Sequence, residues 1–318
     1  LRDIGKFITT YCDEYKIANI SVQAWGGEPL LEKNKIIALT KFITPQKTKV
    51  HYSIETNATL LTNDVIEELY KNHIGIGISI DGDRKCHDLQ RTFVSGKGSY
   101  DTVKKNLLQA QRYYKNKIGT ITTITKQTAV HIEKIIEHLV LDLHISNIKL
   151  NFVHASTYTH GQNQCLNTQE IADTELRILY KIIELQERGY DVMEHNIFIK
   201  LKNLLFREYA DICLSCGCCG GEKMIVFDMD GNIYPCELTD DASFVIGSIY
   251  KKESLIEQIK MTIDKDKAFF KMKKAVECEK CYWKFFCRGG CTVRALSEKR
   301  QMEVIDIDHI EWAINQGL

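Results

Sequence analysis

Cysteines are the residues of this sequence whose number and spacing most clearly indicate chemistry. The chain has twelve, and four of them form the run Cys278-x2-Cys281-x5-Cys287-x3-Cys291. So many deprotonated sulfurs in one region would be prohibitively unfavourable without a compensating positive charge. A metal ion or an iron–sulfur cluster supplies that charge and links segments that are far apart in the sequence. Five further cysteines in the last third of the chain belong to the same candidate group: Cys213, Cys216, Cys218, Cys219 and Cys236.

The other three cysteines, Cys12, Cys86 and Cys165, are isolated, and we interpret them as small packed side chains.

The composition excludes several classes of function. The formal net charge of the 318 residues is zero, so no basic surface for nucleic acid is indicated. We find neither an apolar run of about 18 residues that could span a membrane nor a secretory signal. Dense cysteines without an oxidising compartment favour metal over disulfides, which predicts a cytoplasmic protein.

The first half of the chain alternates short apolar strands with amphipathic helices. This order predicts an α/β fold in which helices cover a parallel sheet, either open or curled into a barrel. Two further helices, over 168–188 and 196–209, would connect residues 1–210 to a cysteine-rich domain over 211–318, which contains a hairpin turn near 228–231. The predicted strands cover 17–24, 50–55, 74–80, 118–124 and 148–153, and the predicted helices before the connectors cover 1–15, 31–42, 63–71, 99–116 and 129–141.

Candidate binding residues gather at the carboxyl ends of these strands, where such folds bind ligands. Gly26-Gly27-Glu28-Pro29 follows the first strand, and two glycines let a backbone approach a ligand closely. An ordinary strand-to-helix turn explains the same residues. Asn57 could bind a ligand or form an Asx turn. Arg91 could pair with an anionic ligand, although a salt bridge with Asp88 is the plainer interpretation.

These motifs, taken in order, resemble those of radical S-adenosylmethionine (SAM) enzymes. In that family Gly-Gly-Glu-Pro cradles the amino group of the cofactor. The segments Thr56-Asn57-Ala58, Ser79-Ile-Asp81-Gly82 and His87-Asp88-x2-Arg91 look like the family's next strand ends. The cysteine pattern resembles the family's SPASM extension. The resemblance implies a partial (β/α)6 TIM-like barrel, N-terminally truncated, followed by a small cysteine-rich SPASM domain. Its implied cofactor-binding residues are Gly26, Gly27, Glu28, Pro29, Asn57, Ser79, Asp81 and Arg91.

The resemblance also implies two auxiliary [4Fe–4S] clusters. The first would take Cys236, Cys291 and two of the four cysteines between 213 and 219, among which Cys213 and Cys219 fit the family best. The second would take Cys278, Cys281 and Cys287. The family's last cysteine is absent, so His309 or Asp308 could complete the second site. Both residues could equally be helix-start residues beside an open site.

A second departure concerns the catalytic cluster. The family holds it with Cys-x3-Cys-x2-Cys, and this chain has no such motif. The sequence also begins at Leu1 within a helical pattern, so we expect that the chain is truncated and that the third, SAM-binding cluster lies upstream. Radical activity would then require that upstream segment.

Glu237, directly after Cys236, matches the position of an acidic proton acceptor in the sulfatase-maturating members of the family. A carboxylate beside a cluster and a substrate channel is a plausible general base. A solvated loop glutamate is the alternative interpretation.

The function implied by the resemblance is peptide maturation. A 5′-deoxyadenosyl radical would take hydrogen from a cysteine-rich ribosomal peptide and lead to thioether links, with an electron donor such as flavodoxin or ferredoxin. Formylglycine generation, as in anaerobic sulfatase-maturating enzymes, is the nearest alternative. A hypothesis of a different class is a non-catalytic module that binds zinc through paired cysteines, or one that binds a peptide partner.

Overall fold

The computed structural model describes residues 1–153, 164–206, 220–221, 223–239, 242–255, 257–258, 280, 282 and 291. The chain divides into two compact units, of which the first is Leu1–Val153 with Asp173–Asn196 and the second is His154–Ala172 with Ile197–Leu318. The predicted domain boundary between residues 210 and 211 falls outside the described residues and stays a prediction.

The first unit is built on a six-stranded sheet whose strands follow one another in chain order. Every neighbouring pair is parallel. The prediction of an α/β fold with a parallel sheet is therefore confirmed. The five predicted strands are present, and a short sixth strand was not predicted. The strands are β1 (Asn19–Ala24), β2 (Lys49–Thr56), β3 (Ile74–Ser79), β4 (Gly119–Ile124), β5 (Asn147–Phe152) and β6 (Met193–Glu194).

Helices connect the strands. The sequence missed the seven-residue α4, which begins where the Asp83 side chain accepts a hydrogen bond from the Cys86 amide. The helix predicted over 129–141 is instead two short helices followed by a π turn over His138–Asp142. The described helices are α1 (Arg2–Glu14), α2 (Lys33–Phe42), α3 (Asn63–Lys71), α4 (Arg84–Gln90), α5 (Tyr100–Tyr114), α6 (Lys126–Ala129), α7 (Ile132–Glu137), α8 (Thr168–Glu187) and α9 (His195–Phe206).

The two faces of the sheet differ in polarity. One face is apolar, and its side chains, such as Ile54, Ile78 and Ile148, are almost fully buried. The side chains that alternate with them are only partly buried and mostly polar. Because parallel sheets usually bury both faces in apolar contacts, a polar face points to a binding surface. We call it the open face, and it consists of Ser53, Glu55, Gly75, Gly77, Ser79, Gly119, Ile121, Thr123, Asn147, Lys149 and Asn151.

Side chains continue the hydrogen bonding of the sheet beyond the short β6. The buried Glu194 carboxylate accepts a hydrogen bond from the Leu150 amide at 2.9 Å. Asn196 Nδ2 donates to the Leu150 carbonyl at 2.8 Å. These bonds satisfy the amide and the carbonyl of Leu150, which the short β6 does not reach. They also leave fewer backbone groups of β5 free to pair with another strand.

The second unit contains a small antiparallel sheet of β7 (Val226–Phe227), β8 (Asn232–Tyr234) and β9 (Gly247–Ser248). The predicted hairpin is confirmed. The Asp228 carboxylate holds its turn by accepting hydrogen bonds from the amides of Asp230 and Asn232, at 2.9 and 2.8 Å. Within the described chain, no helix combines the length and the apolar character that crossing a membrane requires.

Candidate functional site

The loop after β1 leaves backbone open at the carboxyl edge of the sheet. Gly26 and Gly27 are exposed, and a Cβ added to either would meet no atom within 4 Å. Pro29 is buried and begins the short 3-10 turn Pro29–Glu32. The two glycines are therefore exposed with free space on their Cβ side, while the following turn fixes the loop to the protein.

Glu28 joins this loop to the end of β2. Its carboxylate accepts hydrogen bonds from the Thr56 hydroxyl at 2.6 Å and from the Asn57 amide at 2.8 Å. The Leu30 amide donates a third bond at 3.0 Å. Much of the hydrogen-bonding capacity of Glu28 is thus used inside the protein, and its observed role is to position the glycine loop. That it also binds a cofactor stays a prediction.

Asn57 forms the Asx turn that the sequence allowed. Its Oδ1 accepts hydrogen bonds from the amide and the hydroxyl of Thr59, at 2.9 and 2.7 Å. The next residue, Ala58, is buried with a positive φ of 58°. The Asn106 side chain donates to the Ala58 carbonyl at 2.8 Å. This loop is therefore held rigidly, and the Asx turn does not decide whether Asn57 also contacts a ligand.

Arg91 pairs with Asp81, and the predicted salt bridge to Asp88 is wrong. Arg91 Nε donates to Asp81 Oδ2 at 2.7 Å, and Arg91 Nη2 lies 3.5 Å from Thr123 Oγ1 on the open face. Asp88 instead accepts a hydrogen bond from the Tyr100 amide at 2.9 Å and packs so closely on Gly98 that no Cβ would fit there.

The Asp81 carboxylate is 1% exposed and uses its oxygens in hydrogen bonds within the protein. The guanidinium of Arg91, by contrast, keeps part of its hydrogen-bonding capacity. Besides Arg91, Asp81 accepts hydrogen bonds from the Thr123 amide at 2.9 Å and from Gln90 Nε2 at 3.2 Å. The guanidinium is 28% exposed, and its Nη1 makes no hydrogen bond to any described residue. Asp81 thus orients a cation that retains donor capacity for an anion. Ser79, at the end of β3, lies on the open face beside this pair.

The buried His87, to which the sequence motifs assigned no role, positions the backbone of both residues of the ion pair. His87 Nδ1 accepts a hydrogen bond from the Asp81 amide at 3.2 Å, so Nε2 carries the hydrogen and donates to Ser99 Oγ at 2.9 Å. The Ser99 hydroxyl in turn donates to the Arg91 carbonyl at 2.9 Å. Burial lowers the pKa of His87, which keeps the ring neutral and this chain of bonds intact.

In the second unit, Cys236 and Glu237 are adjacent in space as well as in sequence. Cys236 is buried, and its sulfur lies 3.4 Å from the Glu237 carboxylate. The Leu238 amide donates to the same sulfur at 3.5 Å. An amide directed at a sulfur is a feature of iron–sulfur ligation, where such bonds tune the potential. The Cys236 environment therefore fits the predicted ligand.

Most other predicted metal ligands lie outside the described residues. Of the candidate group only Cys236 and Cys291 are described, and Cys291 is exposed. Cys12 and Cys86 are buried as predicted, and burial raises the pKa of both thiols, that of Cys86 to about 11. The predicted ligands outside the described residues are Cys213, Cys216, Cys218, Cys219, Cys278, Cys281, Cys287 and His309.

Comparison with known proteins finds a family match within the first unit. Residues 4–139 match the sequence model of the Radical SAM superfamily. The chain carries a radical SAM domain. Such a domain implies S-adenosylmethionine and a [4Fe–4S] cluster as cofactors and an enzymatic role for the protein that carries it. The hypothesis of a non-catalytic module is thereby set aside.

Several proteins similar to this chain are sulfatase-maturating enzymes. A cysteine-type anaerobic sulfatase-maturating enzyme of Clostridium novyi is 27% identical over 273 residues, which cover 84% of this chain and 71% of the relative. A serine-type anaerobic sulfatase-maturating enzyme of Bacteroides thetaiotaomicron is 24% identical over 308 residues, covering 91% and 72%.

A solved structure shares the fold. The enzyme anSMEcpe, with bound AdoMet and the Cp18Cys peptide, superposes with a TM-score of 0.82 at 21% identity, covering 99% of this chain and 88% of that one. The α/β fold with its parallel six-stranded sheet therefore matches radical SAM structures.

Proposed function

We propose that this enzyme is a peptide maturase that abstracts hydrogen from a cysteine-rich ribosomal peptide and forms thioether links. The observation that carries the proposal is the carboxyl edge of the sheet. An open glycine loop, fixed by Glu28, and a guanidinium, oriented by Asp81, occupy that edge. The first offers backbone polar groups to an ammonium, and the second offers a donor to a carboxylate.

These residues fit the methionine part of S-adenosylmethionine. The Gly26–Gly27 backbone would hold its amino group, and Arg91, with Ser79 beside it, would hold its carboxylate. When bound with its cluster, the cofactor supplies a 5′-deoxyadenosyl radical that takes a hydrogen atom from a substrate carbon. The protein's own part is to fix the cofactor and exclude water.

The second unit would hold the two auxiliary clusters of a SPASM domain, and the first unit would be a partial barrel. Cys236 is the described residue that supports this, and the ligands outside the described residues would complete the sites. Glu237 would accept the proton that the substrate loses, and an auxiliary cluster would accept the remaining electron, which completes the removal of two hydrogens. An electron donor such as flavodoxin or ferredoxin and a reducing, cytoplasmic setting complete the proposal.

A second candidate, formylglycine generation on a sulfatase, is favoured by the names of the curated relatives and by the carboxylate next to Cys236. The two candidates differ in product. Thioether formation removes two hydrogens and consumes a thiol, whereas formylglycine generation leaves an aldehyde.

The test uses the full-length protein, isolated without oxygen and given S-adenosylmethionine, dithionite and the short cysteine-rich peptides encoded beside its gene. We expect a peptide that has lost two hydrogens and no longer reacts with iodoacetamide at one cysteine. A product that reacts with a hydrazide would instead identify the formylglycine activity. Formation of 5′-deoxyadenosine with every peptide unchanged would overturn the thioether proposal.

A further inference from the structure

Two charged side chains on the open face have no counter-charge among the described residues. Glu55 of β2 and Lys149 of β5 are partly buried, and neither forms an ion pair or hydrogen bond with a described residue. Elsewhere in the first unit, charges of similar exposure are paired, as in Arg177–Glu133 at 2.6 Å and Lys181–Glu137 at 3.0 Å. The open face thus carries two partly buried charges that no described residue neutralises.

The described neighbours of Lys149 on β4 and β5 offer its ammonium no anion. Ile121 lies directly beside it in register on β4. Asn147 and Asn151 flank it on its own strand and face the same side of the sheet. Asn151 is in turn held by Asn196, whose Nδ2 lies 3.2 Å from its Oδ1. A partly dehydrated ammonium with only neutral neighbours gains free energy when an anionic ligand arrives.

Between the two charges, glycines leave the backbone of the sheet without covering side chains. On the level of Glu55, β3 and β4 contribute Gly77 and Gly119. A Cβ at Gly77 would lie 3.1 Å from Ile121 Cδ1 and 3.4 Å from Glu55 Cγ, so that glycine makes room for both side chains. A Cβ at Gly119 would meet only the Asn147 carbonyl oxygen, at 3.8 Å, so the space above it is open.

The geometry of the strands sets the scale of this trough. Neighbouring strands lie about 4.8 Å apart, so the three steps from β2 to β5 amount to about 14 Å across the sheet. Lys149 is also two residues further along the strands than the level of Glu55, so the two positions lie about 16 Å apart. That distance suits a peptide segment crossing the strands. It exceeds the span of a single amino-acid zwitterion.

We propose that Lys149 and Glu55 form a charge-selective subsite for the peptide substrate, in which Lys149 binds a substrate carboxylate and Glu55 binds a substrate cation. This inference rests on the proposed function and specifies its substrate class as peptides with an acidic residue near the modified position. The carboxylate of S-adenosylmethionine would bind to Arg91 instead. Arg91 contacts Thr123 of β4, which lies two residues beyond Ile121, the residue paired with Lys149.

The experiment selects peptides from a randomised cysteine-containing library on the immobilised full-length protein with bound S-adenosylmethionine. Because hydrogen bonds to charged groups are worth about 1.5–3 kcal/mol, we expect acidic residues to be enriched at one position about tenfold or more. The K149E variant should reverse that preference toward basic residues, and K149Q should abolish it. E55K should reverse the preference for a basic residue at a second position.

K49E is the matched control. Lys49 lies on the same side of the sheet but is exposed at the amino end of β2, so this variant should leave both preferences unchanged. Equal preferences in the wild-type protein and K149E, or no enrichment in the wild-type protein, would overturn the inference. So would loss of S-adenosylmethionine binding in K149Q with peptide preference retained, because the anion would then be the cofactor's. The loss of two hydrogens from a cysteine-rich peptide, measured separately by mass spectrometry, decides the proposed function.

Discussion

At the scale of single residues, the pair of Arg91 and Asp81 connects stability with binding. Replacing Arg91 with methionine leaves the buried Asp81 carboxylate without its counter-charge. We expect the free energy of unfolding to fall by about 2–4 kcal/mol, since removing one partner of a buried pair strands the other charge. Urea denaturation of R91M measures this loss.

The double variant D81N/R91M controls for the pair itself. Because asparagine carries no stranded charge, the double variant should lose less stability than the sum of the two single variants. Strict additivity would show that Asp81 and Arg91 do not act as a unit.

His87 makes the same loop sensitive to acid. Burial lowers its pKa in the folded protein, whereas the unfolded chain has a histidine pKa of about 6.5. The unfolded state therefore binds the proton first, so this contribution to stability is complete above about pH 6.5 and is lost as the pH falls below it.

The variant H87F tests this dependence. It should cost about 1–3 kcal/mol at pH 8, where the Asp81 amide loses its acceptor, and the cost should shrink as the pH falls to 5.5. H51Q, which changes an exposed histidine, should keep the wild-type pH profile. An H87F stability curve that runs parallel to the wild-type curve at every pH would contradict the assignment.

The sequence predicted the residues of this network better than their partners. Asp88 was expected to pair with Arg91 because it lies three residues away. The direction in which the chain leaves α4 instead places the Arg91 side chain against Asp81, just after the end of β3. Local spacing carries no information about that return, and the same holds for the bond from His87 to the Asp81 amide.

At the scale of elements, Glu28 ties the loop after β1 to the end of β2. In E28Q the amide group must face either the Thr56 hydroxyl or the Asn57 amide, both of which donate to the carboxylate. We expect a loss of about 1–2 kcal/mol in stability and about tenfold weaker binding of S-adenosylmethionine, because 1.4 kcal/mol corresponds to a factor of ten.

Equilibrium dialysis with the full-length protein measures this binding. E32Q is the control, since Glu32 lies in the same turn but is exposed. Unchanged binding in E28Q would show that the glycine loop does not depend on this carboxylate for its position.

The elements with periodic apolar patterns could be predicted, and those held by side-chain bonds could not. Strand β2 was predicted to within one residue at each end because buried and open residues alternate along it. Helix α4 has no apolar period and begins at a cap, and β6 is only two residues long, with Glu194 and Asn196 extending its bonding.

At the scale of the whole molecule, the account requires that cysteines of the second unit bind iron. The variant C236A should lower the iron and sulfide content of anaerobically isolated protein by about one cluster per chain, because a cluster ordinarily needs its full set of thiolate ligands. C12A should leave the content unchanged, since Cys12 is buried on α1 and burial raises its pKa. Equal iron in C236A and wild-type protein would remove Cys236 from the ligand set.

The sequence motifs predicted a radical SAM domain in the first unit, which the family match confirms. The open face was not foreseen, because the polar residues of four strands form one surface only after the strands are set in register. Its charge selectivity depends on that register rather than on any motif.

The measurement that tests the central claim most directly is the reductive cleavage of S-adenosylmethionine by the full-length, anaerobically isolated protein. The account predicts that methionine and 5′-deoxyadenosine form in equal amounts, and that R91M and E28Q slow their formation while E32Q does not. Protein that contains iron and sulfide yet forms no 5′-deoxyadenosine, or equal rates in all four proteins, would contradict the account.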